Sequence, residues 1–94
     1  MNISESIAIV TGGASGLGES TVRQIIKQGG RAAILDLSEE RGQSIVEELG
    51  ERAIFVKTDV TSEEEVSHAI NNAVESFGSI NAVVNCAGIG VASK

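Results

Sequence analysis

The sequence contains no tryptophan, tyrosine or proline, and Phe55 and Phe77 are its two aromatic residues. It has a single cysteine, Cys86, which excludes an intrachain disulfide and fits a reducing compartment. No run approaches the roughly 18 consecutive apolar residues of a membrane span, and the first residues lack the basic start of a signal peptide. These absences predict a cytoplasmic protein that does not bind membranes.

Positive charge is also scarce, because seven Lys and Arg stand against thirteen Asp and Glu, a net charge of -6. An acidic surface disfavours nonspecific binding to nucleic acid and to anionic lipid. The composition, 41% hydrophobic and 21% charged, is that of an ordinary globular protein, and 94 residues suffice for one modest domain. We therefore expect no nucleic-acid partner.

Four short apolar runs, at residues 7–10, 32–35, 53–56 and 82–84, are typical of strands in a parallel sheet that is covered on both faces. Helical patterns lie between them, at about residues 16–28 and 39–49 and in a third segment with one apolar stripe. That stripe comprises Val66, Ala69, Ile70, Ala73, Val74 and Phe77. The alternation predicts right-handed crossovers and a doubly wound α/β fold.

Residues that begin and end helices support these boundaries. Ser62 and Glu65 form a capping-box pattern before the third helix, and Gly78 stands where its C-terminal cap belongs. Ser38 is expected to cap the second helix and Gly50 to end it.

A glycine-rich turn follows the first strand, where residues 11–18 read Thr-Gly-Gly-Ala-Ser-Gly-Leu-Gly. The spacing of Gly12, Gly16 and Gly18 favours a tight turn, close approach of the backbone to a ligand, and close helix packing. The helix that begins near Gly16 offers N–H groups and the positive end of its dipole to an anion. A nucleoside triphosphate loop needs a lysine, which this turn lacks. The pattern therefore predicts a pyrophosphate site.

Asp36 ends the second strand at the spacing of the dinucleotide-binding fingerprint. Its carboxylate can accept hydrogen bonds from the hydroxyls of the adenosine ribose, and it would repel a 2′-phosphate. No Lys or Arg occupies the turn or directly follows Asp36, because Ser15 and Leu37 stand at those places. The cofactor is therefore predicted to be NAD rather than NADP.

Over essentially its whole length the sequence resembles the N-terminal part of a short-chain dehydrogenase/reductase. The turn matches the family's T-G-x-x-x-G-x-G, Asp36 matches its NAD-selecting acid, and residues 59–60 resemble the pair that contacts adenine. Residues 85–88, Asn-Cys-Ala-Gly, resemble the family's N-N-A-G, with Cys86 in the second place and therefore left out of the predicted site. The resemblance implies a Rossmann-like sheet of order 3-2-1-4, with the fourth strand as the last in this chain. It also implies cofactor contacts by Gly12, Ser15, Gly16, Leu17, Gly18, Asp36, Leu37, Asp59, Val60, Asn85, Ala87 and Gly88.

Within the family, residues 84–94 and 59–63 are similar to the 3-hydroxyacyl-CoA dehydrogenase type II group. This similarity implies oxidation of a secondary alcohol, such as a 3-hydroxyacyl-CoA, to a ketone by NAD, and a homo-oligomeric enzyme. The family catalyses with a serine, a Tyr-x-x-x-Lys and an asparagine that follow the fourth strand, and this chain has no tyrosine. We therefore expect residues 1–94 to be the NAD-binding half of a longer single-domain enzyme, inactive alone and without catalytic residues.

Two alternatives remain open: a nucleotide-binding module without redox activity, and a Rossmann-like methyltransferase that uses S-adenosylmethionine. His68 is predicted to be a surface residue of the third helix, and no metal site is expected. Ser93 and Lys94 are given no catalytic role. Residues 81–85 should form an unpaired apolar edge, so that the chain alone should associate or fold only marginally.

Overall fold

A computed structural model describes residues 5–86 as a parallel four-stranded sheet with helices between the strands. The elements are β1 (Ile7–Thr11), α1 (Gly16–Lys27), β2 (Arg31–Asp36), α2 (Glu39–Leu49), β3 (Ala53–Lys57), α3 (Glu63–Phe77) and β4 (Ala82–Asn85), with a 3-10 turn (Gly50–Arg52) before β3. The strand order is β3-β2-β1-β4, which confirms the predicted α/β class and topology. No helix among these residues is long and apolar enough to cross a membrane.

The core lies on both faces of this sheet. Successive strand residues point to opposite faces, so Val10 of β1 joins a cluster with Val22 of α1 and Ile45 of α2. Its neighbour Ile9 joins a second cluster, which includes Ala73 of α3. The prediction of strands covered on both sides is therefore confirmed for the central strands β1 and β2, whose inner residues are fully buried.

Two predicted core positions are wrong. Val74 is 38% exposed, because it lies about 80° around α3 from Val66, at the margin of the apolar stripe. Val83 of β4 is 66% exposed, since no described element covers its face of the strand. Both residues are apolar in the sequence, but burial depends on what packs against them.

Helix capping agrees with prediction in part. The Ser62 hydroxyl accepts a hydrogen bond from Glu65 N at 3.2 Å, and Gly78 ends α3 with a left-handed φ of 91°. The Glu65 carboxylate instead accepts from Asp59 N, at 2.8 Å, so the second half of the capping box is made to the preceding loop. Ser38 precedes α2 but makes no side-chain cap bond.

Side-chain hydrogen bonds join the two ends of β4 to β1 and the residues just before it. At the start, Asn81 Oδ1 accepts from Ile7 N at 2.8 Å and Asn81 Nδ2 donates to Glu5 O at 2.9 Å. At the end, the Thr11 hydroxyl donates to Asn85 Oδ1 at 2.8 Å. Within residues 5–86, β1 is the one strand that pairs with β4.

Candidate functional site

A cleft of about 310 Å³ lies at the carboxyl end of the sheet. Every strand contributes to its wall: Gly12 follows β1, Asp36 ends β2, Thr58 follows β3 and Cys86 follows β4. Open α/β sheets bind ligands at the carboxyl ends of their strands, where the strand order reverses. The cleft lies beside that reversal, which here falls between β1 and β4.

Backbone geometry and packing require glycine at two positions of the turn, Gly12 and Gly18. Gly12 has a φ of 69°, donates its N–H to Leu35 O at 2.8 Å, and accepts from the Ser15 hydroxyl at 2.6 Å. A Cβ on Gly18 would lie only 1.9 Å from the carbonyl oxygen of Gly12. Glycine at both positions therefore lets α1 pack directly onto the turn.

Gly16, the first residue of α1, is different. Its backbone φ is not positive, and a Cβ built on it would have no atom within 4 Å beyond the adjacent backbone. The N–H groups of Gly16 and Leu17 have no acceptor among residues 5–86, whereas Gly18 N donates to the Ser15 hydroxyl at 3.3 Å. The positive end of the helix dipole acts at the same place. This helix end can therefore hold an anion close to the backbone.

Asp36 connects the turn to the next two loops. Its Oδ2 accepts from Ala14 N at 3.1 Å, its Oδ1 accepts from Ser38 N at 3.0 Å, and its carbonyl accepts from Thr58 N at 3.0 Å. A carboxylate has about four lone-pair sites, so two acceptor positions remain for a ligand hydroxyl. Leu37, the following residue, is 60% exposed and lines the same cleft.

Asp59 lies in the loop between β3 and α3. Its Oδ1 accepts from the Thr61 hydroxyl at 2.6 Å and from Thr61 N at 3.0 Å, and these bonds lower the pKa of Asp59. Glu65 holds the backbone of the same loop by accepting from Asp59 N. An ionised, oriented carboxylate therefore stands beside Val60 in the cleft wall.

Arg41 of α2 also contacts the turn, a contact that residue type and spacing do not predict. Its Nε donates to Ala14 O at 3.0 Å, and its Nη2 forms an ion pair with Glu19 Oε1 at 2.6 Å. Glu19 also pairs with Arg23 at 2.9 Å, and Arg23 donates two bonds to Glu48. This network joins α1, α2 and the turn, and its Arg23 bonds lower the pKa of Glu48.

Residues 6–94 match the family described as short chain dehydrogenase. The chain belongs to this family. Among curated relatives, it is 44% identical over 92 residues to the 3-hydroxyacyl-CoA dehydrogenase type-2 of Drosophila melanogaster, which covers 98% of this chain and 36% of the relative. It is 48% identical over 88 residues to the enzyme of the same name from Rattus norvegicus, and the match covers 94% of this chain and 34% of that enzyme.

Solved structures support the same assignment. The 3-hydroxyacyl-CoA dehydrogenase type-2 from Mycobacterium avium superposes with a TM-score of 0.81 at 46% identity, over 90% of this chain and 33% of that one. A 3-ketoacyl-(acyl-carrier-protein) reductase from Brucella melitensis, complexed with NADH, superposes with a TM-score of 0.83 at 27% identity. The superposition covers 87% of this chain and 34% of the reductase. This short-chain dehydrogenase sequence thus spans about a third of the length of these proteins.

The structure gathers about half of the predicted cofactor residues of this short-chain dehydrogenase at one cleft. Those that line it are Gly12, Ser15, Asp36, Leu37, Asp59 and Val60. Gly16, Leu17 and Gly18 form the first turn of α1 next to Ser15, and the Asn85 side chain bonds Thr11 rather than lining the cleft. Ala87 and Gly88 lie outside the described residues.

Other residues of the cleft wall escaped prediction: Leu35, Thr58, Thr61 and Cys86. The family motif has asparagine at the position of Cys86, so the motif does not predict a cofactor contact there, yet its position after β4 places Cys86 in the wall. His68 is exposed on α3, as predicted. Residues 5–86 contain no group of three or more His, Cys, Asp or Glu that could hold a metal ion.

Proposed function

We propose that residues 1–94 form the NAD(H)-binding half of a single-domain short-chain dehydrogenase that oxidises a secondary alcohol to a ketone. One observation carries the proposal. The N–H groups of Gly16 and Leu17, without an acceptor among residues 5–86, directly follow Ser15, which lines the same cleft as Asp36. The N–H groups suit a pyrophosphate and the carboxylate suits a ribose, and a dinucleotide contains both groups.

In this proposal each part of the cofactor has a defined place. The pyrophosphate lies at the first turn of α1, where the absence of a Cβ on Gly16 leaves room for it. The ribose hydroxyls of the adenosine donate to Asp36, and the adenine lies between Leu37 and the pair formed by Asp59 and Val60. When bound, NAD supplies the hydride acceptor for the oxidation.

The names of the relatives support a 3-hydroxyacyl-CoA as the substrate of the whole protein, which we propose to be homo-oligomeric. Residues 1–94 contain no tyrosine to accept a proton from the substrate hydroxyl. We therefore assign cofactor binding to this part and proton transfer to the remainder of the enzyme.

Cofactor titration tests the binding half of the proposal. NADH, NADPH and S-adenosylmethionine are titrated into the chain by calorimetry, and NADH should bind most tightly. Asp36→Ala should weaken NADH binding and reduce discrimination against NADPH. Glu40→Ala, which removes an exposed acid of α2 without a described bond, is the matched control and should change neither. Tight binding of S-adenosylmethionine with none of NADH would contradict the proposal and favour a methyltransferase.

Turnover tests the redox half. The full-length parent, supplied with 3-hydroxybutyryl-CoA and NAD, should produce NADH, whereas residues 1–94 alone should produce none. A parent that binds NADH but fails to oxidise this substrate or simpler secondary alcohols would instead be a nucleotide-binding module without redox activity.

A further inference from the structure

Two arginines meet at the edge of the sheet opposite the cofactor cleft. Arg31 begins β2, and Arg52 directly precedes β3. Because Ala32 pairs with Ala53 in the parallel ladder, the two arginines stand side by side at the start of neighbouring strands, about 4.8 Å apart along the backbone. Both line a pocket of about 230 Å³, together with Glu5, Ser6, Ile7 and Gly29.

Neither of these guanidinium groups forms an ion pair among residues 5–86. The ion pairs there belong to the other two arginines, Arg23 and Arg41, and the side chains of Arg31 and Arg52 make no hydrogen bond within the same range. Every Asp and Glu of the sequence lies within residues 5–86, so no acidic side chain elsewhere in it can pair with them. Like charges that face each other across a ladder destabilise a sheet. An anion bound between the two arginines would remove this repulsion.

The remaining lining of the pocket determines which anion fits. Ser6 is half-buried, and its hydroxyl, which makes no hydrogen bond among residues 5–86, can donate to a ligand. The Glu5 carboxylate opposes an anion, but two guanidinium groups outweigh this single negative charge. Arginine binds phosphate through parallel N–H bonds in a fixed geometry. The volume is below the roughly 300–1,000 Å³ of sites for drug-sized ligands, so the pocket suits a small phosphate compound.

We propose that Arg31 and Arg52 form a binding site for a phosphate group, separate from the proposed cofactor cleft. The ligand is inorganic phosphate or the phosphate of a small monoester, held between the two guanidinium groups with the Ser6 hydroxyl as a further donor. The six residues of β2 place Arg31 at one end and Asp36 at the other, about 16 Å apart. The cofactor and this phosphate therefore bind at the same time and independently.

Titration of inorganic phosphate at constant ionic strength tests the proposal. Calorimetry on the 94-residue chain, with saturating NADH to occupy the cleft, should show saturable binding in the millimolar range. Arg31→Gln and Arg52→Gln should each weaken this binding about tenfold, and Glu5→Gln should strengthen it because the opposing carboxylate is lost. Lys57→Gln is the matched control: it removes the same charge from an exposed position at the other end of β3, and it should leave phosphate affinity unchanged. Glycerol 3-phosphate in place of phosphate distinguishes the sources, since tighter binding assigns the site to a monoester and weaker binding to the free ion.

Thermal unfolding gives a second readout, which a merely structural role of Arg31 would not produce. Without phosphate, Arg31→Gln removes the repulsion between the two arginines, so the variant should unfold at the same temperature as the unsubstituted chain or slightly above it. Saturating phosphate should raise the unfolding temperature of the unsubstituted chain more than that of the variant. An equal rise in both chains would contradict the proposal.

Other results would also overturn it. An equal loss of phosphate affinity in Lys57→Gln would show that phosphate responds only to the overall charge. Complete displacement of phosphate by NADH would place the ion in the cofactor cleft. The full-length parent should bind phosphate with the same dependence on Arg31, and its failure to do so would show that the pocket is covered in the whole protein. A chain that binds phosphate through Arg31 and Arg52 but does not bind NADH would refute the proposed function and leave this site standing.

Discussion

Gly16 and Gly18 stand two residues apart in the same helix, and the same change to alanine should affect them in different ways. At Gly18 the new Cβ would lie 1.9 Å from Gly12 O, 2.6 Å from Gly12 C and 2.7 Å from Gly13 Cα. All three are backbone atoms, so no flexible side chain can yield. Contact at an ordinary 3.4 Å requires α1 to move away from the turn by roughly 1.5 Å.

The expected cost of Gly18→Ala follows from this displacement. Overpacking of a rigid site costs about 1–3 kcal/mol, and backbone neighbours place this one at about 3 kcal/mol. A native domain of this length has about 5–14 kcal/mol of folding free energy, and the 94-residue chain is expected at the lower end of that range, so the variant loses a large fraction of its stability. The midpoint of thermal unfolding should fall by at least about 10 °C.

Gly16→Ala should leave the fold intact, because no atom beyond the adjacent backbone lies within 4 Å of the added methyl group and alanine favours a helix. Its free energy of unfolding should be equal to or slightly above that of the parent chain. NADH affinity should nevertheless fall about tenfold, or ~1.4 kcal/mol, because the methyl occupies the space through which a pyrophosphate approaches the helix N–H groups.

Urea unfolding followed by circular dichroism and titration of NADH fluorescence measure the two effects separately. Ser44→Ala, at an exposed position of α2 away from the cleft, controls for alanine in a helix and should alter neither quantity. A Gly18→Ala variant as stable as the unsubstituted 94-residue chain would refute the packing argument. A Gly16→Ala variant with the same NADH affinity as the unsubstituted 94-residue chain would refute the placement of the pyrophosphate.

The described contacts also determine how Asp59, Cys86 and Val83 should behave. Thr61→Val should raise the pKa of Asp59 toward its ordinary value, which NMR titration can follow. Because the Thr61 bonds lower this pKa in the folded chain, they stabilise the fold fully above the ordinary pKa of about 3.9. That stabilisation is lost as the pH falls from there through the lowered pKa. Saturating NADH should slow alkylation of Cys86, which lines the cleft, and equal rates with and without NADH would contradict that placement. The 94-residue chain should associate in light scattering, and Val83→Lys should reduce this; a parent chain that is already monodisperse and unfolds cooperatively would refute the prediction.

The sequence was sufficient for the fold because its local signals agree with one another. Short apolar runs, helical stripes and glycine stops all indicate the same β-α order, and the structure has that order. Val74 and Val83 escaped prediction because their exposure depends on the position of other elements, which an apolar residue in a periodic pattern does not reveal.

For the candidate site, prediction succeeded where the chemistry is local. Glycine spacing and an acid at a strand end are features of contiguous residues, and Gly12 and Asp36 indeed line one cleft. Arg41 and Glu65 act across elements, one on the carbonyl of Ala14 and the other on the N–H of Asp59. Such contacts depend on the angle between a helix and a loop, so residue type and spacing could not reveal them.

Asp36 shows why cofactor selectivity and turn geometry are coupled in this chain. Its two carboxylate oxygens hold the N–H groups of Ala14 and Ser38, and the proposed cofactor uses the remaining acceptor positions of the same oxygens. Asp36→Ala removes the repulsion of a 2′-phosphate and both of these bonds at once, so weaker NADH binding in that variant combines two effects. Asp36→Asn keeps an oxygen for one bond while it removes the charge. Comparison of the two variants therefore separates the contribution of charge to cofactor choice from the contribution of the carboxylate to the shape of the turn.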